Sequence, residues 1–375
     1  MNITFPLFDD EELKAVEECL NSKWVTQGPL TAKFENLIAQ RHKVSFALAT
    51  TSCTSALHLA MLSLDIKPGD EVIVPAFTWV TSAHSAEYVG AKVIFVDVDE
   101  HTYNINPELI ESAITERTKA IVAVHLFGMA AEMEQISHLA RKYNLKVIED
   151  AACGLGTTYK DKPVGGLGDI GCFSFHPRKV ITTGEGGMVT TNSTSHNDKI
   201  NSYRNHGSTG LQKVFKDDPK PYHMSTFNNL GFNLRLSDIQ AAVGIAQFKK
   251  LDNILSERKS LAIRYTELLK NVDEIITPKI CDGHTYQSYV IRVANGKINL
   301  RNKIMDDLSN QGIQTRPGTH AVHRLGYYSK KYGLTQNDFP ISAKCEDTSI
   351  TLPIFPGMSD DDQNKVIQII KYSLK

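Results

Sequence analysis

The 375 residues carry 41 Lys and Arg against 42 Asp and Glu, for a net charge of −1, with 41% hydrophobic and 22% charged residues. Such a balance excludes a disordered or fibrous chain and offers no basic excess for nucleic acid or an anionic membrane surface. The six cysteines (Cys19, Cys53, Cys153, Cys172, Cys281 and Cys345) lie far apart with no C-x-x-C, so they read as free thiols suited to a reducing cytoplasm, not as staples or zinc ligands.

The N-terminus has no basic stretch before Asp9-Asp10-Glu11-Glu12. No run approaches the roughly 18 apolar residues of a membrane span, so neither a signal peptide nor a span is expected. Residues 9–21 are expected to form an amphipathic helix whose acidic first turn suits the helix dipole. Strands follow at 45–49, 71–74, 92–98, 120–124, 146–149, 171–175 and 187–191, with helices at 54–64, 79–88, 106–115 and 131–143 between them. Seven strands alternating with helices predict a largely parallel sheet covered on both faces. After residue 195 the pattern changes to a long helix over 237–270, opened by Ser237-Asp238, then a strand at 289–293 and helices at 299–310 and 360–373. The expected division is a large α/β domain at 1–247 and a smaller α+β domain at 248–375, with the first dozen residues packing on the smaller one.

Four segments fall at strand ends, where open α/β sheets bind ligands. Thr50-Thr51-Ser52-Cys53-Thr54-Ser55 opens a helix and reads either as ordinary N-capping or as an anion site built from free N–H groups and hydroxyls. Trp79, in Pro75-Ala76-Phe77-Thr78-Trp79, is either packing or a flat lid over an aromatic ligand. Asp150 closes the apolar strand at 146–149 and is either a helix cap or the carboxylate that keeps a pyridinium nitrogen protonated. Lys179, in Phe173-Ser174-Phe175-His176-Pro177-Arg178-Lys179, is followed by the glycine-rich Gly184-Glu185-Gly186-Gly187. A loop lysine is usually solvated, but on a rigid loop it is a candidate Schiff-base nucleophile, with Ser174 as a phosphate ligand. Together these are the parts of a pyridoxal phosphate (PLP) site. No G-x-G-x-x-G follows the first strand and no G-x-x-x-x-G-K-[ST] occurs, which removes nicotinamide and P-loop readings. His320 and His323 lack an H-E-x-x-H partner set, and no metal is expected.

The run TSCTSALHL, PAFTWV, FVDVD, VHLFG, VIEDAA, FSFHPRK with ITTGEGG, and GFNLRLSDIQAA resembles the DegT/DnrJ/EryC1/StrS nucleotide-sugar aminotransferases over essentially the whole chain. That resemblance implies a fold type I enzyme of the aspartate aminotransferase superfamily, with a mostly parallel seven-stranded mixed sheet and a smaller C-terminal α+β domain. It implies that Lys179 carries PLP and shuttles the proton, Asp150 pairs with the ring nitrogen, and Trp79 stacks on the ring. Cys53, Thr54 and Ser174 would hold the phosphate, joined by Asn233 reaching across from a partner subunit in a homodimer. Cys153 stands where the family often places His or Gln near the cofactor's 3-hydroxyl, and Cys53 where it usually places Gly. His176, Arg178, Arg316, His320 and His323 are candidate substrate contacts. The implied donor is L-glutamate, through the pyridoxamine phosphate form, and the acceptor a nucleotide-linked 4-keto-6-deoxy sugar. A 3-keto sugar, a PLP-dependent dehydratase and a non-enzymatic regulatory protein are the alternatives.

Overall fold

The computed structural model describes residues 1–211 and 220–375. Seven strands build the main sheet: β1 (Phe46–Thr50), β2 (Glu71–Pro75), β3 (Lys92–Val96), β4 (Thr118–Val124), β5 (Lys146–Asp150), β6 (Ile170–Ser174) and β7 (Gly187–Thr191). Their order is β1-β7-β6-β5-β4-β2-β3. Only β7 runs against its neighbours; the other pairings are parallel. The sheet is therefore mixed but mostly parallel, as expected.

Buried runs of Val and Ile explain why these segments are strands. Along β2, Val72 and Val74 enter one core while Ile73 enters the core on the opposite face. β4 repeats this with Val122 and Val124 against Ile121 and Ala123. A strand buried on both faces needs such a run, and each enclosed Val or Ile contributes roughly 1.5–3 kcal/mol.

The helices that frame the site are α1 (Asp10–Asn21), α2 (Pro29–His42), α3 (Cys53–Ser63), α4 (Thr81–Tyr88), α5 (Met133–Lys142), α6 (Thr194–Arg204), α7 (Asp238–Lys249) and α8 (Leu251–Leu269). α1 has the expected acidic start, closed by a capping box between Asp9 and Glu12. α2 escapes a local reading because its N-terminus is capped from 208 residues away. The Asp238 carboxylate accepts from the N–H groups of Gly28, Leu30 and Thr31.

Two expected helices differ. The stretch 237–270 is two helices, because Lys250 leaves the helical ladder while its ammonium is held by Asp9 and Glu12 of the α1 start. The stretch 106–115 forms only a helical turn at Pro107–Ile110 and a tighter one at Glu111–Ala113. Ile114 is already extended there, and the buried Glu71 carboxylate pins Thr115 and Arg117 beside it.

The C-terminal part contains a three-stranded antiparallel sheet, β8 (Ile275–Ile276), β9 (Tyr289–Val293) and β10 (Ser349–Leu352), backed by α9 (Ile298–Asn310) and α12 (Asp360–Ser373). Two shorter helices, α10 (Gly326–Tyr332) and α11 (Pro340–Thr348), lie between α9 and α12 in the chain. Alternation along β9 joins the two halves. Tyr289, Ile291 and Val293 enter the C-terminal core, and Val290 enters the core of the main sheet. Residues Met1 and Ile3 hydrogen-bond Gln314 and Ile354, so the N-terminus lies on this part.

Candidate active site

A cavity of about 820 Å³ opens at the carboxyl ends of the parallel strands. It is lined by Cys53, Thr54, Trp79, Asp150, Cys153 and Ser174, and by His176, Arg178, Lys179, Arg316 and His320. Eleven of the thirteen residues singled out in the sequence thus converge on one space.

Strand parity aims the acid. Asp150 shares a face of β5 with Ile148, whereas Glu149 points through the opposite face. Asp150 is 4% exposed. Its Oδ2 accepts from the Ser82 hydroxyl at 2.6 Å, and its Oδ1 accepts from the Ala152 N–H at 3.2 Å. Ser82 is in turn bonded to Thr78 at 3.0 Å. These donors hold the carboxylate in one orientation. The helix-cap alternative is thereby set aside for a side chain facing the cavity.

Glu149 organises the other face. Its oxygens accept from the N–H groups of Gly165, Leu167 and Gly168 and from the His125 ring. The Ala131 N–H donates to His125 Nδ1, so Nε2 is the nitrogen that donates to Glu149. Burial raises the Glu149 pKa, but the His125 bond and the loop amides outweigh it and hold it below its ordinary value.

At the start of α3, Ser52 caps the helix by accepting from the Ser55 N–H. The capping reading is correct, and it coexists with an anion-binding geometry, since Ser52, Cys53 and Thr54 also line the cavity. The first N–H groups of a helix have no intrahelical partner. Gly187 lets β7 approach this turn: a Cβ there would lie 2.4 Å from the Ser52 carbonyl carbon and 2.6 Å from the Cys53 nitrogen. The Cys53 sulfur turns inward, 4.0 Å from Asp150 Oδ1 and 3.6 Å from the Cys172 carbonyl oxygen. Burial, with the Asp150 charge, pushes its pKa well up, so it stays a neutral thiol.

Lys179 leaves a tight turn in which its N–H donates to the His176 carbonyl at 2.8 Å, and its Nζ lies 3.2 Å from the Cys153 sulfur. His176 Nδ1 accepts from the Arg178 N–H. Burial lowers the His176 pKa, and Lys179, Arg178 and Arg316 add to this against Glu185. Arg316 is likewise lowered by burial and by Arg178. Neither arginine has a carboxylate partner among the described residues, and the buried Arg316 Nε makes no hydrogen bond. Trp79 stands at the mouth, 53% exposed, with His320 at 5.7 Å between ring centroids.

Two residues do not join the cavity. His323 is fully buried beside Phe339, with Nε2 3.5 Å from the Gln336 carbonyl oxygen, and the expectation of a substrate contact is corrected. It lies three positions after His320, and the tight turn at Val322–Arg324 carries it inward. Asn233 is exposed and outside its own chain's cavity, joined to Asn205 by a backbone bridge. Sequence reasoning missed Ser82 and Gln287. Ser82 lies one helical turn after Thr78, but nothing local connects it to an acid 68 residues away.

The family model for DegT/DnrJ/EryC1/StrS aminotransferases matches residues 6–371. The chain belongs to this family. GDP-perosamine synthase of Caulobacter vibrioides is 36% identical over 371 residues, covering 98% of this chain and 96% of that protein. Among solved structures, Helicobacter pylori PseC, an aminotransferase involved in the biosynthesis of pseudoaminic acid, superposes with a TM-score of 0.92 at 28% identity, covering 99% and 98% of the two chains. The PLP form of Streptococcus pneumoniae Spr1654 gives 0.91 at 27% identity, covering 100% and 98%. The fold is that of the fold type I aminotransferases, and the residues present fit this family's PLP. A buried carboxylate oriented by Ser82, a reachable lysine amine and a helix start against the bare backbone of Gly187 supply the three attachments such a group needs.

No helix among the described residues is long and apolar enough to cross a membrane, and no cluster of His, Cys, Asp and Glu there could hold a metal ion.

Proposed function

We propose that this PLP-dependent aminotransferase moves an amino group from L-glutamate to C4 of a nucleotide-linked 4-keto-6-deoxy sugar. The observation that carries the reading is the single cavity in which the Lys179 amine, the Asp150 carboxylate and two arginines without carboxylate partners converge. Likeness to GDP-perosamine synthase over nearly the whole chain supports the sugar.

Bound PLP supplies an electron sink that makes the donor's α-proton acidic. Asp150, oriented by Ser82 and Ala152, would stabilise positive charge at the ring nitrogen. Lys179 would tether the cofactor; its Nζ would take the donor's α-proton in the first half-reaction and give a proton to the sugar carbon in the second. Arg178 and Arg316 pair with the anionic groups of the donor and the nucleotide, relieving their mutual repulsion. Trp79, which lines the cavity, would stack on the cofactor's ring. Cys153, beside Lys179, would stand near the cofactor's 3-hydroxyl.

The working unit in this reading is a homodimer in the cytoplasm, where the six free thiols stay reduced. Asn233 is exposed and does not line its own cavity, and Tyr222, Met224, Phe227 and Leu230, 60–90% exposed, form an apolar stretch just before it. A second copy covering that stretch would receive Asn233 at its phosphate site.

Mass spectrometry of products from GDP-, dTDP- and UDP-linked 4-keto-6-deoxy sugars incubated with glutamate tests the assignment. One of them should gain an amine while 2-oxoglutarate appears. Failure of all three, with turnover of a 3-keto sugar or loss of water instead, would overturn it.

A further inference from the structure

We infer that Gln287 is a positioning residue for Lys179, fixing the peptide unit that precedes the lysine from the opposite side of the cavity. The inference rests on the reading of Lys179 as the lysine that carries the cofactor.

The peptide joining Arg178 to Lys179 is held at both ends. Its N–H donates to the His176 carbonyl within the turn, and its carbonyl accepts from Gln287 Nε2 at 2.8 Å, a bond spanning 109 residues. Fixing a peptide plane in this way fixes the direction in which the next Cα projects its side chain. Among the described residues, Gln287 ties the backbone of the Lys179 turn to a segment outside its own loop.

Gln287 is itself over-determined. It is 6% exposed, and its Oε1 accepts from the Ser288 hydroxyl at 3.2 Å, which orients the amide so that nitrogen faces the Arg178 carbonyl. Its backbone carbonyl accepts from Arg258 at 3.2 Å, and the same guanidinium reaches the Tyr286 carbonyl at 3.3 Å and Thr4 at 3.0 Å. Arg258 is 1% exposed and has no carboxylate partner among the described residues. A buried cation is costly without partners; here Nη1 goes to the segment that presents Gln287 and Nη2 to Thr4, while Nε has no partner among the described residues. Tyr286 sits at φ 48°, and the Thr285 and Ser288 N–H groups bond the Gly128 and Phe127 carbonyls after β4. The result is a continuous strut from α8, through Arg258 and Gln287, to Lys179.

The test compares Q287M, which keeps bulk but removes the donor, with Q287H, whose ring N–H reaches about as far. In the PLP-loaded enzyme, Q287M should lose at least half of the visible circular dichroism per bound cofactor. It should also lower kcat by about 10–100-fold, the scale of a misplaced reacting group, with KM for both substrates nearly unchanged. Q287H should recover most of both. In the cofactor-free protein, amide exchange across residues 176–180 should rise in Q287M and not in Q287H. Should Q287M fail to fold, S288A, which frees the amide to rotate, should shift the same readouts in the same direction by less.

Unchanged kcat and dichroism, or a rise in KM alone, would overturn the inference, the latter because Gln287 would then be a substrate contact. Borohydride labelling in each variant separates the two readings. A label away from Lys179 defeats the functional assignment, whereas a label on Lys179 with unaltered dichroism in Q287M and S288A defeats only the strut.

Discussion

The two ends of the cavity are built differently. At the inner end, against the sheet, polar groups are already paired: Asp150 bonds Ser82 and Ala152, Glu149 bonds three amides and His125, and Ser52 caps α3. At the outer end, Arg178 acts against the charge of Arg316, neither has a carboxylate partner among the described residues, and Trp79 is half exposed. The inner end is therefore preorganised, with reorganisation already completed during folding. The outer end is left unfinished in a way that an anionic ligand completes. This separation suits an enzyme that must keep one cofactor fixed while admitting two unlike substrates in turn.

The largest effect should come from breaking the inner end at Lys179. K179A should abolish steady-state amino transfer, a loss of about 10⁴-fold or more if tether and proton carrier vanish together. Borohydride should then leave no cofactor mass on the peptide that spans residue 179. Activity within tenfold of the parent would place the chemistry elsewhere.

D150N comes next. It keeps the shape and removes the charge, so kcat should fall by about 10²–10³-fold, the size found when one preorganised electrostatic partner is lost. KM should move little. Near-normal turnover would mean that Ser82 and Ala152 orient a group with no electrostatic role.

E149Q probes the scaffold behind Asp150. An amide there sets donor against donor at His125 and the loop, and should cost about 3 kcal/mol of stability, as for other broken buried pairs. The pH dependence should change as well. The folded Glu149 carboxyl is held below its ordinary value of 4.5, so its contribution is complete above that pH and is lost as pH falls through the folded value. Urea melts should show a shallower acid limb in E149Q than in the parent. Equal limbs would show that this pair does not govern acid stability.

The smallest change is expected at the outer end. R316M should raise KM for an anionic substrate by about tenfold, from one charged hydrogen bond, with kcat within a factor of about two. R316K should fall between. A drop in kcat with constant KM would erase the distinction between the two ends.

The inner end was also the more legible in the sequence. Asp150 closes an apolar strand and Lys179 precedes the GEGG turn, and both features survive because strand alternation and glycine turns are local properties. The N-cap and anion readings of the Ser52 turn were both legible for the same reason. The partners of these residues were not. Ser82 lies 68 residues from Asp150, and Gln287 lies 109 from Arg178. His320 and His323 looked alike in sequence, but one short turn leaves the first at the cavity and buries the second.

By itself, the sequence determined the seven strands and the mixed α/β class, and it singled out Lys179 and Asp150, which the fold brings to one cavity. Apolar periodicity and turn chemistry act over a few residues and do not depend on the path between elements. Tertiary structure alone decided which serine orients Asp150, which glutamine holds the lysine's peptide, where helix 237–270 breaks, and that two arginines share a cavity. Those outcomes follow from the order β1-β7-β6-β5-β4-β2-β3 and from β9 lying between two cores. Side chains reach only a few ångströms, so their partners are chosen by which elements the fold makes neighbours, not by their separation along the chain.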